Sequence, residues 1–209
     1  MNAREALARL RALGVPAIRT SDAAAALGQS TSAASRTLSR LAESGLVRPV
    51  RQGAWWIDGA VDPHRLPEYL TSPQPSYVSL HTALHLRGLV EQIPEIIYAA
   101  SLARTQRIAT SAGTVSIHHL APEVFGGFEE TDAGIKLATA EKALFDFAYL
   151  SGGRSRVFTS LPELELPRGF RRTELRRWIR RIPSKRGRTL TAERLERMLA
   201  RADSGRDET

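Results

Sequence analysis

The sequence predicts an α+β protein with a small three-helix N-terminal domain, a mixed domain of strands and helices, and a basic helical end. Three observations predict it. In the first sixty residues, stretches with apolar residues at helical spacing are separated by Gly and Pro. Strand-like runs then alternate with capped helices up to residue 150. Arginine-rich amphipathic segments follow. We therefore expect domains at residues 1–60 and 61–209, the second containing a basic helical segment over residues 168–202.

The first sixty residues contain three predicted helices. The first covers residues 3–13, the second begins at a cap on Thr20 or Ser21 and ends at a glycine turn, and the third begins at its cap Ser30 and ends near Ser44. The third helix has an apolar stripe made of Ala34, Leu38 and Leu41. Its opposite face is small, hydroxyl-rich and basic, which suits a helix that enters a DNA major groove.

A two-stranded hairpin is predicted after the third helix. Its strands cover residues 46–51 and 54–57, and Gln52-Gly53 forms the turn between them. The two arginines of the first strand lie where the hairpin of a DNA-binding domain touches phosphates. The order of helix, short helix, turn, helix and hairpin is typical of a winged helix-turn-helix, used either for DNA or for protein contacts. The predicted DNA-binding residues are Thr31, Ser32, Ser35, Arg36, Ser39, Arg40, Arg48, Arg51 and Gln52.

The distribution of charge supports a nucleic-acid partner. Residues 1–60 hold 8 basic and 4 acidic side chains, residues 61–167 hold 8 and 12, and residues 168–209 hold 14 and 6. Two basic ends therefore flank an acidic middle, and concentrated positive charge attracts phosphate backbones through counterion release. A basic surface that serves solubility alone is the other interpretation.

The middle region is predicted as a mixed α+β unit without enzyme chemistry. Helices are predicted at 80–87 and 140–150, capped by Ser79 and Thr139, and strands at 96–100, 107–110, 114–119 and 134–138. His81 and His85 have the spacing of two metal ligands, but no third ligand is identifiable, and neither a zinc-protease pattern nor a Gly-rich phosphate loop occurs. We therefore expect no enzyme activity, no metal and no cofactor.

Four stretches of this chain resemble, in order, the AbiEi antitoxins of type IV (AbiE-type) toxin–antitoxin systems. They are "PSYVSLHTALHLRGL", "IPEIIYAAS", "RIATSAGTVSIHHLAPEVFGGFEE" and "GIKLATAEKALFDFAYL". The resemblance covers roughly residues 5–57 and 76–150. It implies a bacterial autorepressor of its own operon, with a C-terminal domain that counters a cognate nucleotidyltransferase-like toxin. The DNA-contact role of the family falls here on Thr31, Ser32, Ser35, Arg36 and Arg40, and no catalytic residue carries over.

The basic segment is predicted to contain two helices. Thr173 caps the first, which ends at Pro183, and the second follows Thr191 with Leu190 and Leu195 as a hydrophobic staple. The first helix carries an apolar face and an arginine face, and the arginine face is interpreted as a second DNA contact, a toxin contact or a solvated surface. The arginines of this face and of the residues just before it are Arg171, Arg172, Arg176, Arg177, Arg180 and Arg181.

The function expected from these patterns is an antitoxin and DNA-binding transcriptional autorepressor, with operator DNA and the toxin as partners. The alternatives are a ligand-sensing winged-helix repressor unrelated to a toxin and a nucleic-acid-processing enzyme, the latter needing an acidic or histidine cluster that the sequence does not offer. The chain has no cysteine, no apolar run long enough to span a bilayer and no signal-peptide pattern at its start. We therefore expect a cytoplasmic protein without a membrane partner.

Overall fold

The structure of the protein, a computed structural model, is mixed α+β and describes residues 2–57, 59–151 and 163–206. The chain divides into two compact units. The first consists of Met1–Pro63 and Ala109–Thr114, and the second of His64–Ile108 and Val115–Thr209. The mixed α+β class predicted from the sequence is confirmed. No helix in the described ranges is long and apolar enough to cross a membrane.

The first unit contains three helices and a three-stranded antiparallel sheet with the strand order β1-β3-β2. Its elements are α1 (Ala3–Arg11), β1 (Ala17–Arg19), α2 (Thr20–Leu27), α3 (Thr31–Glu43), β2 (Arg48–Arg51) and β3 (Ala54–Trp56).

Local signals set the ends of these helices. The side-chain oxygen of Asn2 accepts the N–H of Glu5 at 2.8 Å and caps α1. The hydroxyl of Ser30 accepts the N–H of Ala33 at 3.2 Å and caps α3, as the sequence predicted. Gly28 ends α2 in the left-handed conformation, with φ 63°, which glycine adopts at little cost.

The predicted cap of α2 at Thr20 or Ser21 is wrong. The N-cap position is Arg19, and the carboxylate of Asp22 accepts the Arg19 N–H at 3.1 Å. The hydroxyl of Thr20 instead accepts the indole N–H of Trp55 at 3.0 Å. Thr20 is already the first residue of α2, so its hydroxyl is not at the N-cap position, and Asp22 at the third helical position bonds back to the N-cap N–H.

The core of the first unit contains the predicted apolar stripe of α3. Ala34, Leu38 and Leu41 are buried, and α2 packs closely against α3. The apolar cluster at the centre of this unit consists of Ala6, Leu7, Leu10, Ile18, Ala23, Leu27, Leu38, Leu41, Val47 and Ile57. Because α3 buries this one stripe, its opposite face is left exposed.

The second unit contains a six-stranded mixed sheet with the strand order β6-β7-β5-β4-β9-β8. Strand β4 is antiparallel to β5 and parallel to β9, while β5 is parallel to β7 and β8 is antiparallel to β9. The strands are β4 (Ser76–Val78), β5 (Ile97–Ser101), β6 (Gln106–Thr110), β7 (Gly113–His119), β8 (Phe128–Glu130) and β9 (Lys136–Ala138).

Five α-helices of the described residues accompany this sheet, and α6 is the most deeply buried of them. They are α4 (Leu66–Thr71), α5 (Leu80–Leu86), α6 (Ala140–Leu150), α7 (Arg172–Arg181) and α8 (Lys185–Arg206). Eight consecutive residues of α6, Glu141–Ala148, are buried, because α5, α7 and α8 all pack against it. Thr139 caps α6 as predicted, its hydroxyl accepting the Lys142 N–H at 3.2 Å. The glycines predicted to end α6, Gly152 and Gly153, lie outside the described residues.

The structure corrects three further local predictions in this unit. Ser79 does not cap α5 with its side chain, because its hydroxyl donates to Asp146 at 2.7 Å. Helix α7 begins at Arg172, so Thr173 lies inside it. Helix α8 begins at Lys185, well before Thr191, because the hydroxyl of Ser184 accepts the Gly187 N–H at 3.0 Å and supplies an earlier cap. The predicted hydrophobic staple is therefore absent from this part of the described chain.

Candidate nucleic-acid interface

The exposed face of α3 presents the short polar and basic side chains that the sequence selected. Thr31, Ser32, Arg36, Ser39 and Arg40 are exposed, and Ser35 is half-buried. Ser30 fixes the start of the helix and the buried stripe fixes its rotation, so these side chains point away from the unit's core.

Arg36 and Arg40 lie four residues apart on α3, so they are neighbours on its surface. Within the described residues neither guanidinium donates a hydrogen bond or forms an ion pair, although Glu43 lies one turn from Arg40. Their positive charge is therefore available to an anion that comes from outside the protein.

The β2–β3 hairpin carries a second group of exposed basic and polar side chains. Arg48, Arg51 and Gln52 are exposed, and Gly53 makes the turn with φ 76°. The register places Arg48 opposite Trp56 and Arg51 opposite Ala54, with a β-bulge between them. Residues paired directly across a ladder share a face of the sheet, so the bulge puts the two arginines on the same side although they are three residues apart.

The start of α3 and the hairpin turn line one open concave surface of about 690 Å³. Of the predicted residues, this surface contains Thr31, Ser32, Ser35, Arg51 and Gln52. A second open surface along α3 contains Ser35, Arg36, Ser39 and Arg40, so Ser35 belongs to both. Arg48 lines neither of the two surfaces. The fold thus brings eight of the nine predicted residues together from two separate stretches of sequence.

Sequence reasoning missed several residues that shape these surfaces. Thr20, Pro49, Gly53 and Trp55 line the first surface, where the Trp55–Thr20 hydrogen bond ties the hairpin to the start of α2. The buried hydroxyl of Thr37 donates to the side-chain oxygen of Gln29 at 3.1 Å and links α3 to the turn before it. The only sequence feature that pointed to the Trp55–Thr20 contact is the pair of adjacent tryptophans, Trp55 and Trp56, and it does not specify which residue they contact.

In the second unit, the six predicted arginines have different surroundings. Arg171 approaches Glu141, Arg172 pairs with Asp203, Arg177 pairs with Glu174 and the guanidinium of Arg181 lies over the Trp178 ring. Arg176 and Arg180 are exposed and bond to no other described side chain. The predicted apolar face of α7 is confirmed, with Leu175, Trp178 and Ile182 buried and Ile179 half-buried.

The histidines of the second unit are occupied by local contacts. A ring nitrogen of His85 lies 3.2 Å from the carbonyl oxygen of Val90, and one of His118 lies 2.9 Å from the Ser116 hydroxyl. Burial lowers the pKa of His81, and burial together with the nearby His81 lowers the pKa of His118 to about 4. No group of three or more metal-ligating side chains occurs within the described ranges.

The most buried charges of the second unit lie on α6. Lys142 pairs with Asp146, and the hydroxyls of Tyr77 and Ser79 donate to the same carboxylate at 2.9 and 2.7 Å. Burial lowers the pKa of Lys142 and raises the pKa of Asp146, while the attraction between the two opposes both changes. Both side chains are inaccessible to solvent.

No known family model matches the chain, and no curated protein matches it. The resemblance to the AbiEi antitoxins therefore stays a prediction from the sequence.

Proposed function

We propose that the protein is a DNA-binding transcriptional regulator whose first unit is a winged helix-turn-helix. In this proposal α3 enters the major groove of an operator and the β2–β3 hairpin is the wing. One observation carries it: the guanidiniums of Arg36 and Arg40, which have no partner among the described residues, and the exposed hydroxyls of α3 line open surfaces that share Ser35, one of which contains Arg51 and Gln52.

The chemistry of the α3 face favours DNA as the ligand. Arginine forms bidentate hydrogen bonds with guanine edges, and serine and threonine hydroxyls bond to bases or phosphates. Short side chains such as Thr31, Ser32 and Ser35 let the start of the helix approach the groove floor. Arg36 and Arg40 extend further and carry the charge that phosphates attract.

The same face is unlike the centre of a protein interface. Such centres are rich in Tyr, Trp, Phe, Met and Arg, and they are poor in Ser, Lys and acidic side chains. The exposed face of α3 contains Thr31, Ser32, Ser35, Arg36, Ser39 and Arg40, with the acidic Glu43 at its end, and it contains no large apolar side chain. This composition favours DNA over the protein-contact alternative.

We extend the proposal to an autorepressor and antitoxin that acts in the cytoplasm on a nucleotidyltransferase-like toxin. The resemblance of residues 76–150 to the AbiEi antitoxins supports this role for the second unit. Co-expression with the nucleotidyltransferase-like protein of the same operon tests it. Growth should recover with the full chain, and failure to recover would leave a regulator without an antitoxin role.

A titration of operator DNA tests the DNA-binding proposal. The duplex is the region upstream of the protein's own operon, and fluorescence anisotropy reports the Kd of the full chain and of R36Q/R40Q. We expect the double variant to bind at least about tenfold more weakly, since each base-reading arginine contributes about 1–3 kcal/mol.

The matched control is R4Q/R11Q, which removes two exposed arginines of the first unit that have no partner among the described residues and lie on α1. It should keep nearly the affinity of the unaltered chain. Equal weakening by both double variants would indicate a general charge effect and would refute α3 as the recognition helix.

A further inference from the structure

The segment from α7 into the start of α8 carries a run of uncompensated positive charge. Residues 175–192 hold seven basic side chains and no acidic one. This density is higher than anywhere on α3, yet the segment belongs to the second unit. Its basic side chains separate into those with partners inside the protein and those without.

Three arginines of this region contact other side chains of the protein. Arg172, just before the run, donates to both carboxylate oxygens of Asp203 at 2.7 Å. Arg177 lies 3.3 Å from Glu174, and the Arg181 guanidinium lies 4.5 Å from the centre of the Trp178 ring.

Arg188 closes the end of α7. It donates to the carbonyl oxygens of Ile182 and Pro183 at 2.8 and 3.1 Å. This satisfies carbonyl groups that the last turn of a helix leaves open. Arg188 is therefore a structural cation rather than one available to a ligand.

Four basic side chains remain: Arg176, Arg180, Lys185 and Arg186. All four are exposed, and none donates from its side chain to any other described residue. Arg176 and Arg180 lie one helical turn apart on α7, and Lys185 and Arg186 follow the end of that helix after a three-residue turn.

The opposite face of α7 is already committed to the core. Leu175, Trp178 and Ile182 are buried, and the Trp178 ring packs against Phe145 of α6. A basic amphipathic helix binds a membrane surface through its apolar face, and here that face is covered. The packing also holds Arg176 and Arg180 on a helix that is anchored to the core, which lowers the entropy cost of binding a charged ligand.

We propose that Arg176, Arg180, Lys185 and Arg186 bind the phosphate backbone of duplex DNA. The inference rests on the proposed function, because it takes the same duplex as the ligand. The hydroxyls of Ser184 and Thr189, beside Lys185 and Arg186, bond within the first turn of α8. The proposed contacts are with phosphates, which carry no sequence information. None of the four pairs with another residue in the part of the chain that the structure describes, so DNA binding breaks none of the ion pairs seen there.

The salt dependence of DNA binding tests the proposal. Each phosphate contact adds about 0.9 to the slope of log affinity against log salt concentration. The full chain is titrated with its operator duplex and with a scrambled duplex of equal length over a range of salt concentrations. The variant R176Q/R180Q should flatten the slope by about two units on both duplexes and leave the ratio of the two affinities unchanged.

The matched control is R197Q/R201Q. These two arginines are exposed, lie four residues apart on α8 and have no partner among the described residues, but Glu193 and Glu196 lie beside them. The control removes the same charge and should leave the slope within about half a unit of the unaltered chain. The charge-retaining variant R176K/R180K should restore the slope, which guards against a loss caused by misfolding.

The outcomes separate this inference from the proposed function. If R36Q/R40Q abolishes sequence preference while R176Q/R180Q leaves the slope unchanged, the second surface is refuted and α3 keeps its role. If only R176Q/R180Q has an effect, the surface stands and the recognition helix is wrong. Equal effects of R176Q/R180Q and R197Q/R201Q on the salt slope overturn the inference. It is also overturned if R176Q/R180Q keeps the slope but no longer restores the growth of cells that express the toxin. That result would assign this face to an acidic protein.

Discussion

Lys142 and Asp146 form an ion pair one turn apart on α6, and neither side chain is exposed. The Lys142 ammonium also lies over the rings of Trp178, Phe145 and Tyr77, at 4.6, 5.0 and 5.5 Å from their centres. The Asp146 carboxylate accepts hydrogen bonds from Lys142, Tyr77 and Ser79, which compensates for its burial. The pair thus joins α6 to β4 and, through Trp178, to α7.

Replacing Asp146 with Asn should strongly destabilise the second unit. It leaves the buried Lys142 without its counter-charge, and breaking one partner of a buried pair costs about 3–5 kcal/mol. Urea denaturation at neutral pH measures the loss. Tyr77→Phe, which removes one hydrogen bond to the same carboxylate, should cost only about 1 kcal/mol. Similar losses for the two variants would contradict the view that the charge dominates.

The His118 side chain should make the protein less stable in acid. Burial and His81 lower its folded pKa to about 4, below the ordinary value of 6.5. As the pH falls, the unfolded chain therefore binds the proton before the folded chain does. The contribution of neutral His118 to the free energy of unfolding is fully present above pH 6.5 and is lost progressively as the pH falls towards 4. The loss amounts to about 3 kcal/mol.

Denaturation midpoints at pH 7 and pH 4.5 measure this effect. Carboxylates also titrate in this range, so the informative quantity is the difference between variants. His118→Gln should reduce the loss on acidification, whereas His119→Gln, at an exposed neighbour, should not. Equal acid sensitivity of both variants would mean that His118 does not control the pH dependence.

Periodicity predicted the faces of helices better than it predicted their ends. The buried stripe of α3 and the apolar face of α7 follow from spacing alone, because a helix of fixed pitch puts residues three and four apart on one side. The start of α8 did not follow, because Ser184 supplies a cap that competes with the predicted one at Thr191. The start of α2 was missed because the Thr20 hydroxyl bonds to Trp55, which is distant in sequence.

The candidate site was predictable residue by residue but not as a surface. Exposure of Arg36 and Arg40 follows from the helical pattern. The joining of α3 to the hairpin turn depends on a β-bulge near Val50 and on the hydrogen bond of Trp55 to Thr20. The bulge has no sequence signal, and the adjacent tryptophans do not specify what Trp55 contacts. The sequence also did not show that Arg176 and Arg180 have no partner among the described residues while their neighbours do. The partner of Arg172 is Asp203, which is distant in sequence, and the partner of Arg181 is the buried ring of Trp178.

Gly127→Ala should destabilise the second unit more than an alanine at another left-handed glycine. A Cβ on Gly127 would lie 2.5 Å from the Trp178 ring and 3.0 Å from Lys142, and its φ is 73°. Gly169 has φ 89° and nothing within 4 Å of such a Cβ, so Gly169→Ala reports the backbone strain alone, about 1–2 kcal/mol. The excess for Gly127→Ala should be about 1–3 kcal/mol, from overpacking. Thermal or urea unfolding measures the stability of both variants. Equal losses of stability would show that the Trp178 ring moves aside without a measurable change in free energy.

Arg51 should contribute more to operator binding than Arg48, although both are exposed arginines of the same strand. Arg51 lines the concave surface that contains Thr31 and Ser32, whereas Arg48 lies at the far end of β2 and lines neither surface. A charge-assisted hydrogen bond to a phosphate is worth about 1.5–3 kcal/mol, so Arg51→Gln should weaken binding about tenfold or more. Arg48→Gln, the matched control, should change the Kd less than about threefold and leave the salt slope nearly unaltered. Anisotropy titrations with the operator duplex compare them, and thermal melts should show no change, since neither side chain has a partner among the described residues. A larger loss for Arg48→Gln would mean that the DNA meets the hairpin along its strand rather than at its turn, which would move the interface away from the start of α3.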